Sequence, residues 1–414
     1  MPVIKPFKAF RPQSNLITKV ASAPYDVLNS EEARQLVKDN PYSFLHVNKA
    51  EIDLELPIDH YDQRVYKKAR ENLNRMIKEK IYLQDKQESI YIYQQIMKGR
   101  IQTGLVVCAS IDDYLNGKIK KHENTREDKE KDRINHIDST GANTGPVFLA
   151  YKTKGEIKQM INRWTKEKVP VYDFTSDDDI THICWIVDDG QTIEQLVRAF
   201  AEIDYFYIAD GHHRAAAATK VGLKRREQLK KYTGEEEFNY FLSVIFPHDE
   251  LYIMDYNRVV SDLAGNSEEE FIRKISKKFT IEKYRGRGPY RPGARQTFGM
   301  YLDNCWYKLT AKPGTFNKED VVNSLDVSIL QNNLLGPILR IKDPRTDQRI
   351  EFIGGIKGLK ELEKRVQAGM KVAFSLYPTS IEELMAVADA GRLMPPKSTW
   401  FEPKLRSGIF IHKI

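Results

Sequence analysis

Tyr205-Phe206-Tyr207-Ile208-Ala209-Asp210-Gly211-His212-His213-Arg214-Ala215-Ala216-Ala217-Ala218 is the stretch on which the reading of this chain turns. Residues 205–209 are aromatic and apolar, the composition of a buried strand. The four alanines that follow open a helix, because alanine loses least on entering one. Asp-Gly-His-His-Arg therefore falls on a strand–helix junction. Gly211 permits a tight turn and close backbone approach. The first turn of a helix carries free N–H groups and about half a positive charge, so it receives anions. Arg214 can hold phosphate oxygens with two parallel hydrogen bonds. Asp210, at the strand's end, can bind Mg²⁺ or polarise a histidine. The plain alternative is a capped helix with two surface histidines. It ranks lower, because an acid, two histidines and an arginine crowd one junction.

Outward from this junction, strand-like and helix-like segments alternate. Asn29-Ser30-Glu31-Glu32 places a cap residue three positions before a glutamate, which predicts a helix through about residue 39. Residues 44–47 read as a strand and 65–79 as a charged amphipathic helix. Residues 89–97 and 104–111 read as strands. Thr125 is the expected cap of the polar stretch 125–135. A strand over 145–151, a helix over 156–166, a strand over 182–187 and a helix over 193–201 lead back to residue 205. Beyond it, 241–246 and 251–255 read as paired strands joined by Pro247-His248-Asp249-Glu250. The alternation predicts an α/β (α+β) fold.

The chain has 414 residues, 41% of them apolar and 30% charged, which suits a folded globular protein and not a disordered one. No apolar run approaches the roughly 18 residues that span a bilayer, and the start of the chain has no apolar leader segment. A cytoplasmic protein without a membrane partner is expected. Cys108, Cys184 and Cys305 lie far apart, which argues against a disulfide framework or a zinc site. The net charge, 65 − 58 = +7, is mild; it suits an anionic small molecule as well as nucleic acid.

Two further features carry chemistry. In Lys120-Lys121-His122-Glu123-Asn124-Thr125-Arg126, a glutamate beside a histidine is flanked by cations, a setting for a general base or a metal ligand. Arg126 stands where a zinc protease would have its second histidine, so that class is disfavoured. In Met394-Pro395-Pro396-Lys397-Ser398-Thr399-Trp400-Phe401-Glu402-Pro403-Lys404, a lysine and two hydroxyls in a proline-bounded loop can clamp a carboxylate. Thr379-Ser380-Ile381-Glu382, ahead of it, reads as a capping box. Walker-type, protein-kinase, nucleophile-elbow and dinucleotide-loop motifs are all missing from the sequence.

Together these features resemble the free-serine kinases of the ParB/sulfiredoxin-like fold, of which the archaeal ADP-dependent enzyme is the type. A large bacterial family long described only as of unknown function is similar over nearly the whole chain, from Ile4-Lys5-Pro6-Phe7 and Ala23-Pro24-Tyr25-Asp26 through Thr144-Gly145-Pro146-Val147 to the proline-bounded tail. The resemblance implies a nucleotide-binding core with elaborations over 1–260, and a C-terminal α+β region over 261–414 whose tail, from about 371, returns to the active site. It implies Glu123 as catalytic glutamate with His122 and Asp210, and Gly211, His212, His213 and Arg214 as the phosphate loop. It places Lys397, Ser398, Thr399 and Trp400 at the amino acid, and Mg²⁺ on Asp210. Archaeal relatives continue the tail with Arg-His where this chain has Trp400-Phe401, so the cation for the substrate carboxylate is left to Lys397 or another arginine. Sulfiredoxins carry a cysteine in the loop where His212 stands here.

The expected activity is phosphoryl transfer from ATP or ADP to the hydroxyl of free L-serine. Two alternatives stay open from sequence. One is a nucleotide-binding regulatory or DNA-associated module using the basic stretch 224–231, although Glu235-Glu236-Glu237 follow it at once. The other is a metal hydrolase using His122, Glu123, His212 and His213.

Overall fold

The computed structural model describes residues 1–229 and 231–414. They form two compact units. The first comprises Met1–Leu251 and Pro403–Ile414; the second is Tyr252–Glu402. The units part at 251/252, nine residues before the 260/261 boundary read from sequence, and of the tail only residues 403–414 belong to the first unit.

The first unit is built on a nine-stranded mixed sheet. Its order is Ile119–Lys120, Phe206–Asp210, Val147–Tyr151, Tyr240–Pro247, Arg100–Ser110, Ile90–Met97, Ile180–Val187 and Tyr172–Thr175, with Ile4–Lys5 added against Arg100–Ser110. The central strands are apolar on both faces because both are covered: Leu105, Val107, Leu149, Phe206, Ile208 and Ile245 are buried in one core, and Val106, Phe148, Ala150, Tyr207 and Val244, which alternate with them, are buried as well. Helix His212–Gln228 contributes Ala215, Ala217, Ala218 and Val221 to that core. Its alanine-rich face is what allows close approach to the sheet. Helix Glu127–Thr140 packs beside it, tied by ion pairs from Lys220 to Glu130 and from Lys224 to Asp138.

Close packing makes one glycine diagnostic. A Cβ on Gly222 would sit 2.4 Å from the Phe238 carbonyl oxygen and 2.6 Å from Ile111 Cδ1. In an open helix Gly→Ala stabilises by roughly 1 kcal/mol. Here overpacking reverses the sign, and Gly222→Ala is expected to destabilise by about 1–3 kcal/mol. Thermal denaturation checks it: an unchanged or higher Tm contradicts the packing described.

The second unit holds a six-stranded antiparallel sheet in the order Phe279–Lys283, Cys305–Ala311, Thr297–Leu302, Val372–Leu376, Tyr256–Val260 and Ile350–Gly354. Helix Lys360–Gln367 covers it, with Leu362 buried against Val259, Trp306 and Ile353.

The α+β class is the one expected, but four local readings need correction. Residues 44–47 are not a strand; a one-turn helix, Leu45–Asn48, stands there. Thr125 does not cap the next helix: its hydroxyl donates to Glu130 Oε2 at 2.8 Å, and the cap position is Arg126. Tyr240–Pro247 and Tyr252–Met254 do not pair with each other; the first joins the large sheet and the second pairs with Trp400–Glu402. The capping box before helix Ile381–Asp389 is Ser380 with Glu383, one residue later than read. Among the described residues, no helix is long and apolar enough to cross a membrane.

Candidate active site

Strand Phe206–Asp210 ends on Gly211, whose φ of 94° and ψ of 30° lie in the left-handed region that glycine reaches without strain. That turn starts helix His212–Gln228 with no side-chain cap, so no capping side chain occupies the N–H groups of its first turn. Register slips between Ile208 and Asp210 against Val147–Tyr151, which re-aims the end of the strand at the junction.

Each polar group of the junction has a defined place. Asp210 Oδ1 accepts from the Gly211 N–H at 2.8 Å. Its Oδ2 lies 3.6 Å from Arg214 Nη2 and 3.5 Å from Lys404 Nζ. Burial alone would raise this carboxyl's pKa, but Lys404, Arg214 and the Gly211 N–H outweigh it and hold the group well below the usual carboxylate range. Arg214 folds back over Gly211 and donates through Nη1 to the Pro146 carbonyl.

The two loop histidines fasten the facing segment. His212 Nε2 accepts from the His122 N–H at 3.5 Å, and His213 Nε2 accepts from the Arg126 N–H at 3.0 Å. These bonds grip both ends of residues 122–126 and set Glu123 against the junction. Glu123 Oε2 lies 3.9 Å from His212 Nδ1. Beneath them His122 is wholly enclosed. Its ring stands edge-on to that of His212 at 4.5 Å, and neither ring nitrogen has a hydrogen-bond partner among the described residues. Burial lowers the pKa of His212 and His213 and drives that of His122 to about 3, so all three are neutral at pH 7.

Tyr25, Asp26, Glu123, Asp210, Gly211, His212, His213 and Arg214 line one cavity of about 290 Å³, its open mouth included. The residues expected from the His-Glu and Asp-Gly-His-His-Arg segments thus come together. His122 backs this wall without lining it. Tyr25 and Asp26, which the sequence left open as either lining the site or merely packing, line it; Lys404 was not expected near the junction and reaches Asp210 without lining the cavity. Tyr25 and Asp26 sit in a loop without periodicity, so the signal for them was the family-like segment Ala23-Pro24-Tyr25-Asp26 and not a local pattern.

Lys397, Ser398, Thr399 and Trp400 belong to the second unit. There Ser398 Oγ donates to the Pro395 carbonyl at 2.5 Å, the Ser398 carbonyl accepts from Thr379, and Trp400 Nε1 donates to Glu402. In the basic stretch 224–231, Lys224 and Arg225 pair with Asp138, and Arg226 holds both oxygens of Asp112 at 2.7 Å; Lys230 lies outside the described residues. Among the described residues, no group of three or more histidines, cysteines and acids is placed to hold a metal ion.

Enclosed neutral histidines make a pH prediction. Burial takes the pKa of His122 to about 3, of His136 to about 4 and of His182 to about 3. Unfolded histidine titrates near 6.5, so below that pH the unfolded chain binds protons that the folded chain refuses. Stability is full above about pH 6.5 and falls as pH drops toward the folded values, by about 1.4 kcal/mol per unit for each group. The urea midpoint of the first unit's transition is expected to fall steeply between pH 6.5 and 4.5. A flat midpoint over that range contradicts it.

Fold and site together define an α+β protein with a strand–helix turn faced by a carboxylate across one cavity. The family described as "Protein of unknown function (DUF1015)" matches residues 4–328, and the chain belongs to it. No curated protein matches the sequence. Among solved structures, a free serine kinase mutant in complex with AMP is 14% identical, over 72% of this chain and 87% of that one, with a TM-score of 0.37. A free serine kinase mutant in complex with ADP is 15% identical over 74% and 90%, also at 0.37. A C-terminally truncated SbnI from Staphylococcus aureus is 11% identical over 72% and 84%, at 0.38.

Proposed function

We propose that this chain is a small-molecule kinase that transfers a phosphoryl group from ATP or ADP to the hydroxyl of free L-serine, giving O-phospho-L-serine. The observation that carries the reading is a single cavity holding Glu123 opposite the helix start at Gly211 and Arg214. Phosphoryl transfer asks little covalent help of a protein; it asks for in-line positioning and cancellation of charge.

The N–H groups of residues 212–214 and the Arg214 guanidinium receive the nucleotide's phosphates, with Lys404 adding a second cation at the rim. The serine hydroxyl oxygen attacks the terminal phosphorus. The bond from that phosphorus to the bridging oxygen breaks, and the nucleotide leaves with the electron pair. Glu123 accepts the hydroxyl proton. Neutral His212 and His213 serve as positioning residues, because their ring nitrogens are engaged in holding the segment that carries Glu123. Asp210 is the carboxylate to which the resemblance gives Mg²⁺, but its Oδ1 is taken by the Gly211 N–H and its Oδ2 faces the Arg214 and Lys404 cations, so these residues as placed do not fit a divalent ion and charge neutralisation falls to the two cations. Lys397, Ser398 and Thr399 keep the role that the family resemblance gives them, near the amino acid's charged ends.

The test mixes purified protein, Mg²⁺, ATP or ADP and a panel of hydroxyl amino acids, read by ³¹P NMR. A phosphomonoester signal that depends on L-serine is expected. Nucleotide consumption without dependence on any hydroxyl compound contradicts the reading. Steeply salt-dependent DNA binding in its place would favour the regulatory alternative.

A further inference from the structure

A second cavity, of about 450 Å³ with its open mouth included, adjoins the first; Tyr25 and Arg214 line both. Its wall carries Arg133, a residue only 9% exposed. Arg133 Nε and Nη2 both go to Asp132 Oδ2, at 2.8 and 2.6 Å, and the Tyr25 ring covers the guanidinium plane at 3.9 Å. Nη1 has no hydrogen bond to the described residues. Asp132 is itself shared, since its Oδ1 accepts from Tyr66. With Arg214 across the same space, the cavity presents two guanidinium groups, and among its lining residues there is no acid.

The other polar groups are neutral and already oriented. Asn48 Oδ1 accepts from Thr144 at 2.9 Å, which leaves its amide N–H groups for the cavity. His136 Nε2 donates to the Val47 carbonyl at 3.0 Å, so its Nδ1 carries the lone pair. A cationic fork, an amide donor and one neutral acceptor suit a small molecule with one carboxylate beside a hydrogen-bond donor. Pro24, Ile137 and Val147 close the remainder with apolar surface.

We infer that this second cavity is the acceptor subsite and that Arg133 receives the acceptor's carboxylate. The inference rests on the kinase reading, and it names the cation that the tail leaves open by having Trp400-Phe401 in place of Arg-His. The acceptor then enters beside Tyr25, its carboxylate against Arg133, and its hydroxyl turned past Arg214 toward Glu123 in the adjoining cavity.

The experiment compares kcat/KM for L-serine and for L-serinamide, which keeps the hydroxyl and lacks the carboxylate. Wild-type enzyme is expected to prefer L-serine by about 10–100-fold, the worth of one charge-assisted contact. Arg133→Gln should lower kcat/KM for L-serine by a similar factor, leave L-serinamide and the nucleotide KM unchanged, and so abolish the preference; Arg133→Lys should restore part of it. Because Arg133→Gln leaves Asp132 buried without its cation, Asp132→Asn/Arg133→Gln serves beside it. Asn48→Asp, which puts a negative charge in the cavity and keeps both arginines, should also depress L-serine selectively. A preference that survives these changes overturns the inference and leaves the kinase reading standing. So does a rise in the nucleotide KM alone, which would make the cavity a nucleoside site. Wild-type enzyme that phosphorylates neither compound overturns both.

Discussion

Glu123→Gln is expected to lower kcat for serine phosphorylation by about 10²–10⁴-fold and to leave the nucleotide Kd within about twofold. The substitution keeps the side chain's size and removes its ability to accept a proton. Glu123 stands in the cavity near His212, whose burial keeps it neutral, so the imidazole cannot take over as a cation and is poorly placed to take over as a base. Below it His122 is enclosed and does not line the cavity. No second carboxylate in the cavity is an equal substitute. Asp210 is held ionised among Lys404, Arg214 and the Gly211 N–H, and a carboxylate so stabilised is a weak base. Asp26 is the remaining acid, and Glu123→Gln/Asp26→Asn tests whether it supplies residual turnover. Steady-state kinetics beside calorimetric nucleotide titration separates the two effects. Full turnover in Glu123→Gln would remove the base assignment while leaving the phosphate receptor intact.

The strand–turn–helix junction was legible in the sequence because its parts are local. Strand, glycine, histidines, arginine and alanine-rich helix fall within fourteen consecutive residues, and each element's propensity agrees with its neighbours. Glu123 was legible as a chemical type, although its partner lies about ninety residues on and only the sheet brings the two together. Where the reading failed, a long-range contact had decided a local ambiguity. Phe44-Leu45-His46-Val47 is a short apolar run, and periodicity alone cannot tell a strand from a buried helical turn in four residues. Packing of Phe44 and Val47 against Leu73 and Met76 settles it as helix. Residues 241–246 and 251–255 look like a hairpin by spacing, but the first strand takes neighbours from far away, at Arg100–Ser110 and Val147–Tyr151. Tyr25, Asp26 and Arg133 reach the two cavities from separate loops and helices. No local pattern around them shows that they share cavity walls.

Gly211→Ala should weaken nucleotide binding about as much as losing Arg214 outright, although it removes no functional group. The left-handed φ of 94° costs a residue with a Cβ about 1–2 kcal/mol. The added Cβ would lie 2.9 Å from Arg214 Nε, closer than real Cβ contacts come, and a tight 3.0 Å from its Cζ. A long side chain usually yields to such an intrusion at little cost. This one is pinned at its far end by the Pro146 carbonyl and Asp210, so yielding means giving up those contacts and leaving the phosphates. Losing a charge-assisted contact worth about 1.5–3 kcal/mol raises Kd by roughly 10–100-fold. Arg214→Met should do the same by deletion. Because both act through one guanidinium, Gly211→Ala/Arg214→Met should bind nucleotide no worse than Arg214→Met, whereas independent effects would multiply. Calorimetric titration of the three variants with ATP and ADP decides between these outcomes. Wild-type affinity in Gly211→Ala, or multiplied losses in the double variant, would mean that the turn does not hold Arg214 against the phosphates.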